Sequence, residues 1–163
     1  MSHNNKGYTL IELIITLGIL AIITTGAVML TSRITYADTT KAAKIVDSTM
    51  DKLRLETMTK STKRYLHIYH YDDSIYIKIS IYDTASMAGL DSASGNKIGR
   101  KMDIYYKVYD GVEELLGSGD SIVIGFARSS GAFSSNYETI RFQYGGSSST
   151  IYCTKETGRH YVD

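Results

Sequence analysis

The chain of 163 residues contains no proline, no tryptophan, three phenylalanines and a single cysteine. With no proline, nothing in the sequence breaks a helical stretch strongly. With only Cys153, no intramolecular disulfide and no C-x-x-C pattern can form, and this residue is expected to be a small buried strand side chain. G-x-S-x-G, H-E-x-x-H and the Walker phosphate loop are also missing. His67 and His70 lie three apart in a stretch that reads as a strand, so they point to opposite faces and cannot ligate one metal together. Asp72-Asp73 has no other acid cluster near it in sequence and reads as a turn rather than a calcium site, since calcium takes six to eight oxygens. The expectation is a chain that is not an enzyme, with no catalytic residue, no metal site and no cofactor.

What the chain does have is concentrated at its start. After Lys6-Gly7-Tyr8-Thr9-Leu10-Ile11-Glu12, no charged residue occurs from Leu13 through Ser32. Twenty helical residues at about 1.5 Å each span about 30 Å, the thickness of a hydrocarbon core. A carboxylate costs roughly 2.5 to 3.5 kcal/mol at mid-bilayer and less near an interface, so Glu12 at the mouth of the run calls for a reason. A secretory signal peptide, with Lys6 as its positive region and Thr35-Tyr36-Ala37 as its cleavage site, has an apolar region of only about 7 to 15 residues. A plain anchor with Glu12 at the headgroup level is the other bland reading.

The remaining chain is long enough for one modest domain. Hydrophobic residues make up 43% and charged residues 21%, which excludes a disordered chain. Tyrosine, at 14 residues, replaces the other aromatics and suits half-buried sheet faces and contact surfaces. Residues 31–64 carry eight Lys/Arg against four acids, a balance of +4, and residues 65–163 carry nine against twelve, a balance of −3. The mildly acidic second part argues against general nucleic-acid binding.

Taken in order, Tyr8 to about Lys63 reads as one helix. Past the apolar run it turns amphipathic, with Ala42, Ile45, Val46, Thr49 and Leu53 on one stripe and Lys41, Lys44, Asp47, Asp51 and Lys52 on other faces. From Arg64 the period becomes that of strands. Tyr65 to Tyr71 and the Ile75, Ile77, Ile79, Ile81 alternation form a hairpin turned by Asp72-Asp73. Residues 83–101 read as an exposed loop, the kind of segment that contacts partners. Met102 to Tyr109 is a third strand and Gly111 to Asp120 a connection. Ser121 to Ala127, the most apolar strand, is expected at the sheet centre. Thr139 to Tyr144 and Thr150 to Thr154 pair across Gly145-Gly146, and His160 to Val162 closes the chain. The fold class is α+β: a long N-terminal helix, transmembrane in its first half and amphipathic in its second, packed on an antiparallel β-sheet head.

Lys6-Gly7 followed by Tyr8-Thr9-Leu10-Ile11-Glu12-Leu13 resembles the type III signal of type IV prepilins and pseudopilins. The resemblance implies a pilin-like fold and three segments: a leader at 1–7, a transmembrane and assembly helix at 8–32, and a globular pilin head at 33–163. It implies cleavage between Gly7 and Tyr8 by a prepilin peptidase and N-methylation of Tyr8, where the family usually has Phe. Glu12 then becomes the fifth mature residue, the acid that acts in assembly by pairing with the amino terminus of a neighbouring subunit. The implied partners are that peptidase, other pilin or pseudopilin subunits, an inner-membrane assembly platform and membrane lipid before assembly. The implied location is the cytoplasmic membrane with the head outside, and then a surface filament or pseudopilus.

A second, looser resemblance covers about residues 121–162. Phe126-Ala127-Arg128, Gly131, the Gly145-Gly146 hairpin and Thr157-Gly158-Arg159 are similar to the GspH/FimT family of minor pseudopilins and minor pilins. It implies a minor subunit of a type IV pilus, type II secretion or competence filament, in keeping with the missing cysteine pair that major pilins often carry. Some FimT-like proteins bind DNA through a Gly-Arg-x-Arg element. Gly158-Arg159-His160-Tyr161 keeps Arg159 and lacks the second arginine, so capture of extracellular DNA is the alternative reading. Such capture draws most of its affinity from several phosphate-neutralising cations, and Lys155 and Arg159 are balanced by Glu156 and Asp163.

Overall fold

In the computed structural model the backbone is described for residues 9–84 and 94–163, and side chains for the same residues except 26–32. Gly7 and Tyr8, and residues 85–93 of the expected loop, lie outside the described residues. The chain divides into two compact units, Met1–Ile34 and Thr35–Asp163.

One helix, α1 (Leu10–Thr59), runs through both units. Within the first unit its described apolar side chains are exposed, from Leu10 at 78% to Ile23 at 62%. Among the described residues no helix is long and apolar enough to cross a membrane. Within the second unit α1 buries Thr39, Ala42, Ala43, Val46, Met50, Leu53 and Thr57, a stripe stepping by three or four residues. The stripe lies one position round from the expected one. Ala43 and Met50 are buried where Ile45 and Thr49 are only partly so. Asp47, expected on a face away from the stripe, is half-buried.

The strands form two antiparallel sheets rather than the single sheet expected. The first, in order β3-β2-β1-β6, contains β1 (Tyr65–Tyr71), β2 (Ser74–Ser80), β3 (Asn96–Arg100) and β6 (Ser121–Ile124). The second, in order β5-β4-β7-β8-β9, contains β4 (Asp103–Val108), β5 (Glu113–Leu115), β7 (Tyr137–Tyr144), β8 (Ser147–Thr154) and β9 (Arg159–Val162). One hydrophobic cluster joins α1 to both: Met50 and Leu53 of the helix, Leu66, Ile68, Ile122 and Ile124 of the first sheet, and Ile104, Ile140, Phe142 and Ile151 of the second. Each fully buried side chain of this kind contributes roughly 1.5 to 3 kcal/mol.

Both short hairpins sit where their turn residues put them. Asp72 and Asp73 adopt φ of 45° and 52°, and Gly145 and Gly146 φ of 55° and 83°, the two consecutive positive values that match the twist of a two-residue hairpin. Four other expectations are corrected. Asn96–Arg100, placed in a loop, is an edge strand whose single buried apolar residue, Ile98, gives no alternation to read. Glu113–Leu115, placed in a connection, is the exposed edge strand β5. Ser121–Ile124 is an edge strand, not a central one. Its apolarity comes from packing under the shared cluster, and the Val123 amide donates to the Tyr137 hydroxyl at 3.4 Å instead of to another strand. Ile81, assigned to the buried isoleucine face, lies past the end of β2 and is exposed.

The helix is pinned to the two C-terminal loops by Arg54. Its Nε donates to Gly131 O and its Nη2 to Thr157 O, each at 2.9 Å. Gly158 sits beside this clamp at φ +66°, and a Cβ there would stand 1.8 Å from Gly131 O. Gly146 also has positive φ, at +83°, but a Cβ there meets nothing within 4 Å. Gly146→Ala is therefore expected to cost about 1 to 2 kcal/mol for the left-handed conformation alone. Gly158→Ala is expected to cost about 3 kcal/mol or more, because the backbones must also separate. Comparing the two unfolding midpoints in denaturant checks the difference.

Candidate processing and assembly site

The start of α1 is closed by its own side chains. Thr9 is the N-cap: its Oγ1 accepts from the Glu12 amide at 3.3 Å, and its carbonyl accepts from the Leu13 amide at 3.2 Å. Glu12 Oε2 in turn accepts from the Thr9 amide and from the Thr9 hydroxyl, both at 3.1 Å. This is a capping box, Thr-x-x-Glu ahead of an apolar run, and it satisfies two of the otherwise orphaned amides of the first turn. The carboxylate also faces the positive end of the helix dipole. Glu12 thus has a second role that the sequence reading missed, although the Ser/Thr-x-x-Glu spacing signals it directly.

Beyond Glu12 the described hydroxyls of the run are turned inward. The Thr16 hydroxyl donates to Glu12 O at 2.9 Å, Thr24 to Leu20 O at 2.9 Å and Thr25 to Ala21 O at 2.8 Å. Hydroxyls that return to the preceding turn of the helix ask nothing of their surroundings. The described part of the run therefore presents an apolar exterior around a satisfied backbone, with one carboxylate at its head. That surface suits lipid or other apolar helices and is costly in water.

The other residues singled out from sequence are scattered through the head. Arg159 is exposed at the start of β9, and its amide donates to the Thr157 hydroxyl at 3.2 Å. On the same strand pair Tyr152 and Tyr161 stack with centroids 5.1 Å apart. The cations of the outer face of this sheet are engaged: Arg141 with Glu113 at 2.5 Å and Lys107 with Glu138 at 2.7 Å. The Arg141 guanidinium holds the Glu113 carboxyl below its ordinary range. His67 is buried with Nε2 2.9 Å from Tyr82 O, and burial pushes both His67 and His70 below the ordinary imidazole range. Asp72 and Asp73 border a cleft of about 390 Å³ that is also lined by Lys97, Arg100 and Lys101. Cys153 is buried in β8, and burial pushes its thiol up to about 12.

Two predictions follow from this geometry. Thr9→Val removes the cap hydroxyl at nearly constant volume, and the first turn is expected to lose about 1 kcal/mol. Faster hydrogen exchange at the Glu12 and Leu13 amides, with the head amides unchanged, reads this out. Cys153 holds its proton across the physiological range and is expected to resist alkylation in the folded chain, then react fully in denaturant. A mass-shift assay in both states checks it.

Residues 2–28 match the family model described as the prokaryotic N-terminal methylation motif. No curated protein and no solved structure matches the chain. The matched span contains Gly7, Tyr8, Thr9 and Glu12, so the capped helix start described above lies inside a type IV pilin-like prepilin signal.

Proposed function

We propose that the chain is a non-enzymatic structural subunit of a type IV pilin-like filament, of the minor GspH/FimT kind. The signal match over residues 2–28 carries the pilin-like part of this reading, and the minor-subunit part rests on the resemblance of residues 121–162 alone. A prepilin peptidase cuts between Gly7 and Tyr8 and methylates the new amino terminus. Residues 8–32 hold the subunit in the cytoplasmic membrane with the head outside until it enters a filament of the type IV pilus, type II secretion or competence class. The exposed side chains from Leu10 to Ile23 support both stages, since lipid first and neighbouring helices later can cover them.

Glu12 has a different task in each stage. In the single chain it is held by Thr9, which lowers the cost of a carboxylate at the lip of the membrane. In the filament it pairs with the Tyr8 amine of a neighbour and sets axial register. Removing one member of a buried ion pair strands the other at about 3 to 5 kcal/mol. Capture of DNA is not adopted: it needs several free cations on one surface, and on the face next to Arg159 both Arg141 and Lys107 are already paired.

The two tasks of Glu12 are separable by substitution. Glutamine also serves in a capping box, so Glu12→Gln keeps the helix start and removes only the charge, whereas Glu12→Ala removes both. Both variants are expected to be cleaved after Gly7 and to be missing from purified filaments; normal amounts of Glu12→Gln in filaments sink the pairing role. Replacing Gly7 with a bulky residue is expected to leave the mass of the membrane-extracted protein unprocessed. Loss of seven residues from that variant refutes the cleavage assignment.

A further inference from the structure

We propose that the cleft beside strands β2 and β3 of the first sheet is a binding site for a sugar acid, a ring that carries an acid group together with several hydroxyls. Its volume is about 390 Å³, within the range of small-molecule sites. The antiparallel pairing of β2 with β3 builds it, setting Arg100 opposite Ser74 and Lys97 opposite Tyr76. Lys101, the residue after β3, has φ of 52°, and its amide donates to Asp73 O at 2.8 Å. The left-handed conformation is unfavourable for a lysine, and here it brings the chain back to the Asp72-Asp73 turn and closes the cleft.

One wall suits an acid group. Lys97, Arg100 and Lys101 meet in this cleft, and among the described residues none of the three forms an ion pair. Lys107 and Arg141 of the second sheet, by contrast, are paired with Glu138 and Glu113. The Arg100 guanidinium offers the planar fork that takes a carboxylate or phosphate through two hydrogen bonds, and the two lysines add point charges. Ser74 is 4% exposed and accepts from Lys97 Nζ at 2.7 Å, which leaves its own O–H to donate.

A bare anion leaves the other walls unexplained. Asp72 and Asp73 line the same cleft, and a carboxylate repels an anion while accepting hydrogen bonds only. The ligand that suits both walls therefore brings donors beside its acid group, and ring hydroxyls are such donors. Tyr76 supplies the third kind of wall, an aromatic ring held in place by Tyr69 at 5.9 Å and Tyr71 at 6.2 Å between centroids. An acid group, a rim of hydroxyls and apolar C–H faces occur together on a sugar acid. A DNA strand fits less well. It offers a row of phosphates and few hydroxyls, and three cations against two carboxylates leave the cleft a balance of only +1.

The site lies within one chain, so its test needs no filament and stands apart from the assembly role. It uses the full-length, ¹⁵N-labelled chain in micelles of a detergent with neither charge nor sugar in its head group. Titration with galacturonate is expected to saturate and to move the amide signals of Tyr76, Lys97, Arg100 and Lys101. Galacturonate is expected to bind at least about tenfold more tightly than acetate or inorganic phosphate, since only the sugar acid reaches both walls. Arg100→Gln is expected to weaken it about tenfold. If that variant does not fold, Lys101→Asn, a residue suited to φ of 52°, takes its place with the same expected loss. Asp72→Asn is expected to narrow the preference for galacturonate over acetate. Tighter binding of an oligogalacturonate than of the monomer assigns the site to a polysaccharide, and equal binding assigns it to the free sugar acid. No saturable shift, equal binding of acetate, phosphate or neutral galactose, or tighter binding of a DNA oligonucleotide overturns the proposal.

Discussion

The apolar side chains from Leu10 to Ile23 have no partner within their own unit, and most of what is distinctive in this chain answers that constraint. An uncovered apolar helix is stable only if its backbone and hydroxyls are satisfied internally and something apolar later surrounds it. Thr16, Thr24 and Thr25 meet the first condition by donating to the preceding turn, and the Thr9–Glu12 box meets it at the end where the helix has spare amides. Under the proposed function lipid and other subunits meet the second condition, in keeping with the type IV pilin-like signal found over the same residues.

The head, by contrast, spends its specific residues on closing itself. Tyrosine hydroxyls finish connections that no strand finishes. Tyr137 caps the free edge of β6, and Tyr109 accepts from the Lys155 amide at 3.0 Å while donating to Cys153 O. Tyr106 donates to Glu114 at 2.8 Å and so fastens the short strand β5, an interaction that also raises its own hydroxyl above the ordinary range. A large ring with a polar tip does in one residue what a phenylalanine and a separate hydrogen-bond donor do in two, which is why fourteen tyrosines can stand in for missing tryptophan and scarce phenylalanine.

The sequence was legible where one local rule acted alone. Alternating isoleucines and two paired turn residues were enough to place β1, β2 and the β7–β8 hairpin, because strand period and positive φ are local properties. It was illegible where position depended on distant contacts. The apolarity of Ser121–Ile124 reports burial and does not distinguish a sheet centre from an edge lying under a shared core. Nothing in Asn96–Arg100 or Glu113–Leu115 alternates, since each holds one edge of a sheet with one face in water. The capping box was a different case: its signal was present in Thr9-Leu10-Ile11-Glu12 and was passed over because Glu12 was read only for its charge.

The C-terminal Gly158-Arg159-His160-Tyr161 shows how a motif can divide between two roles. Successive strand residues face opposite ways, so Arg159 and Tyr161 look outward while His160 enters the helix interface, and Gly158 lies against Gly131 O. Its inward members are fixed by packing: a Cβ at Gly158 has no room, and His160 fills the space between two phenylalanines and two aspartates. Gly131 and Arg54 complete the same node. The residues that gave the second half of the chain its resemblance to minor pilins therefore hold β9 and its preceding loop on the helix. In this chain the inward members of the motif close the head, and only the outward pair is placed to touch a ligand.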